Sequence, residues 1–125
     1  MRIFKTPGFA KWAKKENVTD KVIKKAVGEM QKGLIYAELG DGLCKQPIAR
    51  PGQGKRGGHR TLIAFKKDDR SVFVFGFSKS DCENINEQDE KKYRDLAQFY
   101  LNLTNEQLNK MIGEKRLIEV AYEKK

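Results

Sequence analysis

Four stretches of the chain carry apolar residues three or four positions apart, the spacing that places side chains on one face of an α-helix. We expect four helices: one that begins after Thr6, one over residues 20–32, one that begins at Asn86 and one that begins after Thr104. Thr6, Asn86 and Thr104 belong to the residue types whose side-chain oxygens accept hydrogen bonds from a first helical turn. The apolar residues expected to face the core from these helices are Phe9, Trp12, Ala13, Val22, Ile23, Ala26, Val27, Met30, Tyr93, Leu96, Ala97, Tyr100, Leu103, Leu108, Met111 and Ile112.

Between these helices, shorter runs of alternating or continuous apolar residues predict strands. The expected strands cover residues 1–5, 34–39, 43–49, 60–67, 71–78 and 116–122. Phe73, Phe75 and Phe77 are expected on one face of the fifth of these strands. Because its other face is apolar as well, we expect this strand at the centre of the sheet. No linker or repeat divides the sequence, so we predict one α+β domain over residues 1–125, whose last elements are a C-terminal helix and strand.

Charge adds a functional indication to this picture. The chain carries 26 lysines and arginines against 17 aspartates and glutamates, and the net charge of +9 indicates an anionic partner. Residues 44–67 hold seven basic and no acidic residues, whereas residues 81–90 hold five acidic and no basic ones. An inert basic surface is the competing explanation, but segregation of this kind favours a binding patch.

The sequence disfavours a membrane protein or a secreted protein. No apolar run approaches the roughly 20 residues that span a bilayer. The two distant cysteines do not form a disulfide framework, and the N-terminal apolar run is too short for an export signal. We therefore expect a cytoplasmic protein with reduced thiols and no membrane partner.

The positive charge is concentrated in residues 45–60, called the basic segment below. Four glycines and two prolines make most of it a loop. Glycines let a backbone approach a phosphate closely, and lysine and arginine side chains neutralise it. We interpret the basic segment as a site for a polyanion, with RNA as the first candidate and a flexible solvated loop as the alternative. Its basic side chains are Lys45, Arg50, Lys55, Arg56, His59 and Arg60.

His59 and Arg60 open a predicted strand directly after two glycines. An imidazole can act as acid or base near neutral pH, and a guanidinium can hold a phosphate through two parallel hydrogen bonds. If the strand over 71–78 pairs with this strand as an ungapped hairpin, Lys79 and Asp81 lie beside the His-Arg pair. We therefore expect these four side chains to lie together as a candidate site, with solvated surface side chains as the alternative.

Two other chemistries receive little support from the sequence. Cys44 and His59 could form a thiol–imidazole nucleophile pair, but no third orienting residue accompanies them. One histidine and two separated cysteines do not match the ligand spacing of zinc sites. We therefore expect neither a metal nor a cofactor.

A long motif occupies residues 49–65, which read Ala-Arg-Pro-Gly-Gln-Gly-Lys-Arg-Gly-Gly-His-Arg-Thr-Leu-Ile-Ala-Phe, and residues 75–79 add Phe-Gly-Phe-Ser-Lys. These residues resemble the RelE/HigB toxins of bacterial type II toxin–antitoxin systems. The similarity is greatest to the branch with a Gly-Lys-x-Gly-Gly-aromatic-or-His-Arg segment. It covers most of the chain, including residues 84–86 and 117–120.

The resemblance implies a small α+β fold (RelE-like), with N-terminal helices packed on a twisted, mostly antiparallel sheet, to which this chain would add an extra C-terminal helix and strand. It also implies ribosome-dependent cleavage of mRNA. In such enzymes the RNA 2′-hydroxyl attacks the adjacent phosphate and the 5′-oxygen leaves, without a metal, while basic residues stabilise the charge of the transition state. The implied partners are mRNA on the ribosome and a cognate antitoxin, expected to be a helix-turn-helix protein. Operator DNA is expected to be contacted only through that antitoxin.

By position, the resemblance implies that Arg60 clamps the scissile phosphate and that Lys79 is the basic end of the following strand. Lys45 and Arg50 match the basic positions that precede them in the family. The RNA-binding residues predicted from charge and resemblance together are Lys45, Arg50, Lys55 and Arg56.

Two features depart from the pattern of RelE. In RelE an arginine follows the strand-end lysine, whereas this chain has Ser80 there. RelE also has a tyrosine shortly after that strand end, whereas the nearest tyrosine here is Tyr93. The acid and base roles are therefore assigned to His59, with Asp81 as its orienter or as the base. In the alternative, no single residue is a strong acid or base and positive charge supplies most of the catalysis.

Two further functions stay open. ParE-like toxins, which act on DNA gyrase, share the scaffold without the nuclease site, and the two departures favour that class while the basic segment weighs against it. A nucleic-acid-binding regulator is the third class, and against it no basic recognition helix stands out in the sequence.

Overall fold

A computed structural model describes residues 1–49, 58–78 and 86–122 of the chain. In these residues it shows an α+β arrangement of four helices and six strands. The elements in chain order are β1 (Arg2–Lys5), α1 (Pro7–Lys15), α2 (Asp20–Gln31), β2 (Ala37–Gly40), β3 (Leu43–Ile48), β4 (His59–Lys66), β5 (Arg70–Ser78), α3 (Glu87–Leu101), α4 (Asn105–Gly113) and β6 (Ile118–Tyr122). None of the helices in the described ranges combines the length and apolar character that crossing a membrane requires.

The six strands form one sheet in the order β2-β3-β4-β5-β1-β6. All neighbouring pairs are antiparallel except β1 and β5, which run parallel. β5 lies inside the sheet and is almost completely buried, which confirms its predicted central position.

Two hydrophobic clusters cover the two faces of the sheet. Ile63 packs with residues of α1 and α2, whereas its neighbours Leu62 and Ala64 pack with residues of α3 and α4. Successive residues of a strand point to opposite faces, so one helix pair lies on each side. The C-terminal region is part of this core, because Leu108 and Met111 of α4 join the second cluster and β6 pairs with β1.

The helix starts follow the capping chemistry that the sequence indicates. The side chains of Thr6 and Asn86 accept hydrogen bonds from backbone N–H groups of the first turns of α1 and α3, at 3.2 and 2.8 Å. Thr104 and Gln107 form a reciprocal capping box at α4. Gly33, just beyond the end of α2, has a φ of 88°, a conformation that glycine adopts without strain.

One register prediction is wrong. Leu62 pairs with Phe75 but Ile63 pairs with Phe73, so β5 contains an extra residue, Val74, at a β-bulge. The bulge reverses the alternation, and Phe73 packs in the cluster of α1 and α2 while Phe75 and Phe77 pack in the other. The three phenylalanines therefore do not share a face, and the β4–β5 hairpin is not ungapped.

Two arginines connect the C-terminal elements α3 and β6 to neighbouring strands of the sheet. Arg70, 5% exposed, donates hydrogen bonds to the Asp69 carboxylate and to the carbonyls of Tyr100 and Leu103 at the end of α3. Arg2 on β1 donates two hydrogen bonds to the Glu119 carboxylate of β6, at 2.9 and 3.0 Å. These contacts hold α3 and β6 in fixed positions against the sheet.

Candidate functional site

Three of the residues predicted to form the site lie in the described part of the chain: His59 and Arg60 at the start of β4, and Lys45 on β3. In sequence, residues 50–57 lie between β3 and β4, and residues 79–85 follow β5, the strand that pairs with β4. The predicted site residues that lie outside the described residues are Arg50, Lys55, Arg56, Lys79 and Asp81.

Arg60 and Lys45 lie on the same face of the sheet. Pairing between β3 and β4 sets Arg60 opposite Pro47 and Lys45 opposite Leu62. Directly paired residues share a face, and so do residues two apart along one strand. Both cations are partly exposed on the side covered by α3. The sheet therefore brings two of the predicted phosphate-binding side chains together on the two strands that residues 50–57 connect in sequence.

The guanidinium of Arg60 also has an aromatic neighbour that the sequence did not indicate. Its Cζ lies 5.5 Å from the centre of the Tyr36 ring, a distance typical of a cation–π contact. Its Nη1 donates a hydrogen bond of 3.4 Å to the His59 carbonyl. Tyr36 precedes β2 and is far from Arg60 in sequence, so only the pairing of β2 with β3 and β3 with β4 brings the two together.

His59 points to the other face of the sheet. Its side chain is fully buried, at 0% exposure, and its ring meets the Trp12 ring edge-on, with centroids 4.9 Å apart and planes at 78°. Its Nε2 lies 3.8 Å from the Oε1 of Glu16 at the end of α1. The structure therefore places the imidazole among residues of α1 and does not bring it to the face that carries Arg60.

Gly76 explains how Trp12 reaches this position. Gly76 lies on β5 opposite Thr61, on the same face as His59. A Cβ atom added at Gly76 would lie within 2.8 Å of three carbons of the Trp12 indole ring. Only a glycine lets the indole rest directly on the backbone of β5, and from there the indole covers His59.

The strand end that precedes Lys79 lies beside His59. Ser78, the last residue of β5, pairs with His59. Because Lys66 pairs with Arg70 at the turn, a hairpin without the bulge would pair His59 with Phe77 instead. The last described residue of β5 thus lies next to the start of β4. The prediction that Lys79 and Asp81 join the site concerns residues outside the described part and stays a prediction.

The structure disfavours a Cys44–His59 nucleophile pair. Cys44 is opposite Ile63, four residues along β4 from His59, a separation of about 13 Å at the rise of a strand. Burial, and secondarily the carboxylate of Glu38, raise the pKa of the Cys44 thiol to about 11, so the thiol is protonated at neutral pH. Among the described residues, no group of three His, Cys, Asp or Glu side chains is arranged to hold a metal ion.

Tyr93, the tyrosine nearest after β5 in sequence, lies on the face that carries Arg60. Its ring stacks on Phe75, with centroids 5.1 Å apart, and Phe75 pairs with Leu62, about 7 Å along β4 from Arg60. Burial, and secondarily the charge of Asp89, raise the pKa of the Tyr93 hydroxyl. Tyr93 is therefore a protonated phenol, suited to donating a hydrogen bond rather than to acting as a base.

Comparison with known families gives one match. A family model described as the RelE toxin of the RelE/RelB toxin–antitoxin system matches residues 1–120. The matched range runs from β1 through α4 and into β6. No individual curated protein matches the sequence.

Proposed function

The chain belongs to the RelE toxin family, and we propose that this toxin cleaves mRNA on the ribosome as a metal-independent endoribonuclease. As a toxin of a toxin–antitoxin system it has a cognate antitoxin. We further propose that the antitoxin is a helix-turn-helix protein through which the pair contacts operator DNA, and that the toxin acts in the cytoplasm. The family match gives no support to the alternative of a ParE-like toxin acting on gyrase.

The observation that carries the proposal is the position of Arg60 and Lys45. They lie on one face of the sheet, on the two strands that residues 50–57 connect in sequence, and the basic segment contains no carboxylate. An RNA phosphate bound there meets Arg60 and Lys45, and the basic segment itself supplies no carboxylate that would compete for them. Because both residues are partly buried, water screens their field less than on an open surface.

The proposed reaction is an internal transfer at phosphorus. The 2′-oxygen of the RNA attacks the adjacent phosphorus and loses its proton, the bond from phosphorus to the 5′-oxygen breaks, and that oxygen takes up a proton. The products are a 2′,3′-cyclic phosphate and a free 5′-hydroxyl. Negative charge accumulates on the phosphoryl oxygens in the transition state, where fixed cations are most stabilising.

Arg60 is assigned the phosphate clamp, because a guanidinium matches two phosphoryl oxygens with parallel hydrogen bonds. Lys45 is assigned to the same phosphate or the next one, together with Lys79. The residues assigned to the RNA backbone are Arg50, Lys55 and Arg56.

His59 is assigned a positioning role, in place of proton transfer. Its ring lies under Trp12 on the face opposite Arg60, while its backbone fixes the first residue of β4. Asp81 then remains the candidate for the base that receives the 2′-proton. Positive charge supplies most of the rate enhancement in this scheme.

The test is cleavage of mRNA by translating ribosomes, with 5′ ends mapped for the wild type, Arg60→Ala and Arg116→Ala. Arg116 is a matched control, because it is an exposed arginine whose ion pair is with Glu114 near the end of α4. We expect Arg60→Ala to lower the cleavage rate by about a hundred-fold or more, and Arg116→Ala to cleave like the wild type. The proposal fails if the wild type and Arg60→Ala give the same uncleaved pattern.

A further inference from the structure

An exposed aromatic ring stands beside the proposed phosphate clamp. Tyr36 is 60% exposed, and its ring centre lies 5.5 Å from the guanidinium carbon of Arg60. The other large hydrophobic residues that are exposed in the described part are Leu34, Phe99 and Ile118. Of these aromatic rings, Tyr36 is the one in contact with a predicted phosphate-binding residue.

The backbone that carries Tyr36 is held in place by a buried amide. Gln46 on β3 is 4% exposed, and its Oε1 accepts a hydrogen bond of 3.0 Å from the Tyr36 N–H. Its Nε2 donates a hydrogen bond of 2.9 Å to the Leu34 carbonyl. The next residue, Ala37, pairs with Lys45 in the sheet. The backbone of Tyr36 is therefore held in place relative to the strands that carry both cations.

We propose that Tyr36 is a positioning residue that stacks on an RNA base next to the phosphate held by Arg60. This inference rests on the proposed function, because it assigns a further contact to the same RNA. Aromatic rings stack on the faces of unpaired bases, and arginine planes add to such stacks. A base and its phosphate are joined through one sugar, so a ring and a guanidinium 5.5 Å apart can hold parts of the same or of adjacent nucleotides.

The contact uses the face of the ring and not the hydroxyl group. Tyr36→Phe and Tyr36→Trp are therefore expected to keep cleavage within about two-fold of the wild type, whereas Tyr36→Ala lowers kcat/KM by about ten-fold or more. Because stacking is present before and during the reaction, the loss falls mainly on KM. Arg60→Ala, by contrast, lowers kcat.

The experiment uses the full chain and ribosomes that carry a synthetic mRNA. The A site of these ribosomes is empty. One set of mRNAs is complete, and a second set carries a single abasic nucleotide on either side of the cleaved bond. Phe99→Ala serves as the matched control, since Phe99 is an exposed aromatic residue on α3. Thermal unfolding of each variant verifies the fold, and we expect Tyr36→Ala to unfold like the wild type because its ring is largely exposed.

The abasic substrates separate stacking from an indirect effect on Arg60. If Tyr36 stacks on a base, the wild type loses about ten-fold on one abasic mRNA and Tyr36→Ala loses nothing further on it. Equal losses for the wild type and Tyr36→Ala on every abasic substrate overturn the inference, as does full activity of Tyr36→Ala beside inactive Arg60→Ala. A wild type that cleaves no mRNA overturns the proposed function itself.

Discussion

Replacement of Gly76 by alanine tests the packing that holds the candidate site. The added methyl group would lie within 2.8 Å of three carbons of the Trp12 ring, whereas carbon atoms in contact are ordinarily about 3.5–4.0 Å apart. These atoms belong to a rigid indole, wedged between β5 and the rings of Phe9 and His59. Trp12 must therefore move by about 1 Å, or β5 must bend away from α1.

The expected cost follows from overpacking of a close-packed core. Inserting one methyl group into such a site costs about 1–3 kcal/mol of the free energy of unfolding. For a domain of this size, that corresponds to a fall of roughly 4–12 °C in the unfolding midpoint. Movement of Trp12 also releases His59, whose backbone neighbour is Arg60, so we expect the cleavage rate to fall as well.

The assay is unfolding by heat and by urea, followed by tryptophan fluorescence. Trp12 is the only tryptophan of the chain, so the emission reports its environment directly. Gly28→Ala is the matched control, because Gly28 lies within α2 and an added Cβ meets no atom within 4 Å. The control is expected to stabilise the protein by about 0.5–1 kcal/mol, since alanine favours a helix over glycine.

A double variant sharpens the test. Trp12→Phe provides a smaller ring, so the cost of Gly76→Ala should shrink by about half or more when both changes are present. The reasoning is refuted if Gly76→Ala unfolds like the wild type with unchanged emission. It is equally refuted if the costs of the two substitutions simply add.

Three further predictions address single side chains. Arg70→Met should lower the free energy of unfolding, measured by urea titration, by about 3 kcal/mol, because it removes the charged donor from two carbonyls at the end of α3. Arg116→Met, at an exposed arginine, should stay within about 0.5 kcal/mol of the wild type. In a Cys82→Ser variant, Cys44 should react with iodoacetamide at pH 8 about a hundred-fold more slowly in the folded protein than in urea. The reason is that folding raises the pKa of the Cys44 thiol from the ordinary 9.0 to about 11. Equal rates in the two states would contradict the burial of Cys44. His59→Gln should lower cleavage without changing the shape of its pH profile, whereas loss of one limb of the profile would show that His59 carries a proton after all.

The local elements were predictable from the sequence, because their signals are local. The N-cap residues Thr6, Asn86 and Thr104 mark helix starts through their own side chains. In the structure each side chain accepts a hydrogen bond from the first turn of its helix. The burial of Ile23, Met30 and Leu108 follows from helical periodicity in the same way. The family motif likewise needs only the order of the residues, and it led to the family that the match over 1–120 shows.

The arrangement of the site depends on contacts between distant parts of the chain. An extra residue at Val74 shifts the pairing of β4 and β5 by one position, and alternation alone does not show where a bulge falls. The burial of His59 depends on Trp12 of α1 resting on Gly76 of β5.

The sequence by itself thus determined the helices and strands, the positive charge of the basic segment and the membership of the toxin family. Tertiary structure decided that Arg60 and Lys45 share a face, that the Tyr36 ring lies against Arg60, and that His59 faces α1. The physical reason is that a side chain's face follows from strand register and helix docking. Both are set by packing over the whole domain and not by neighbours in the sequence.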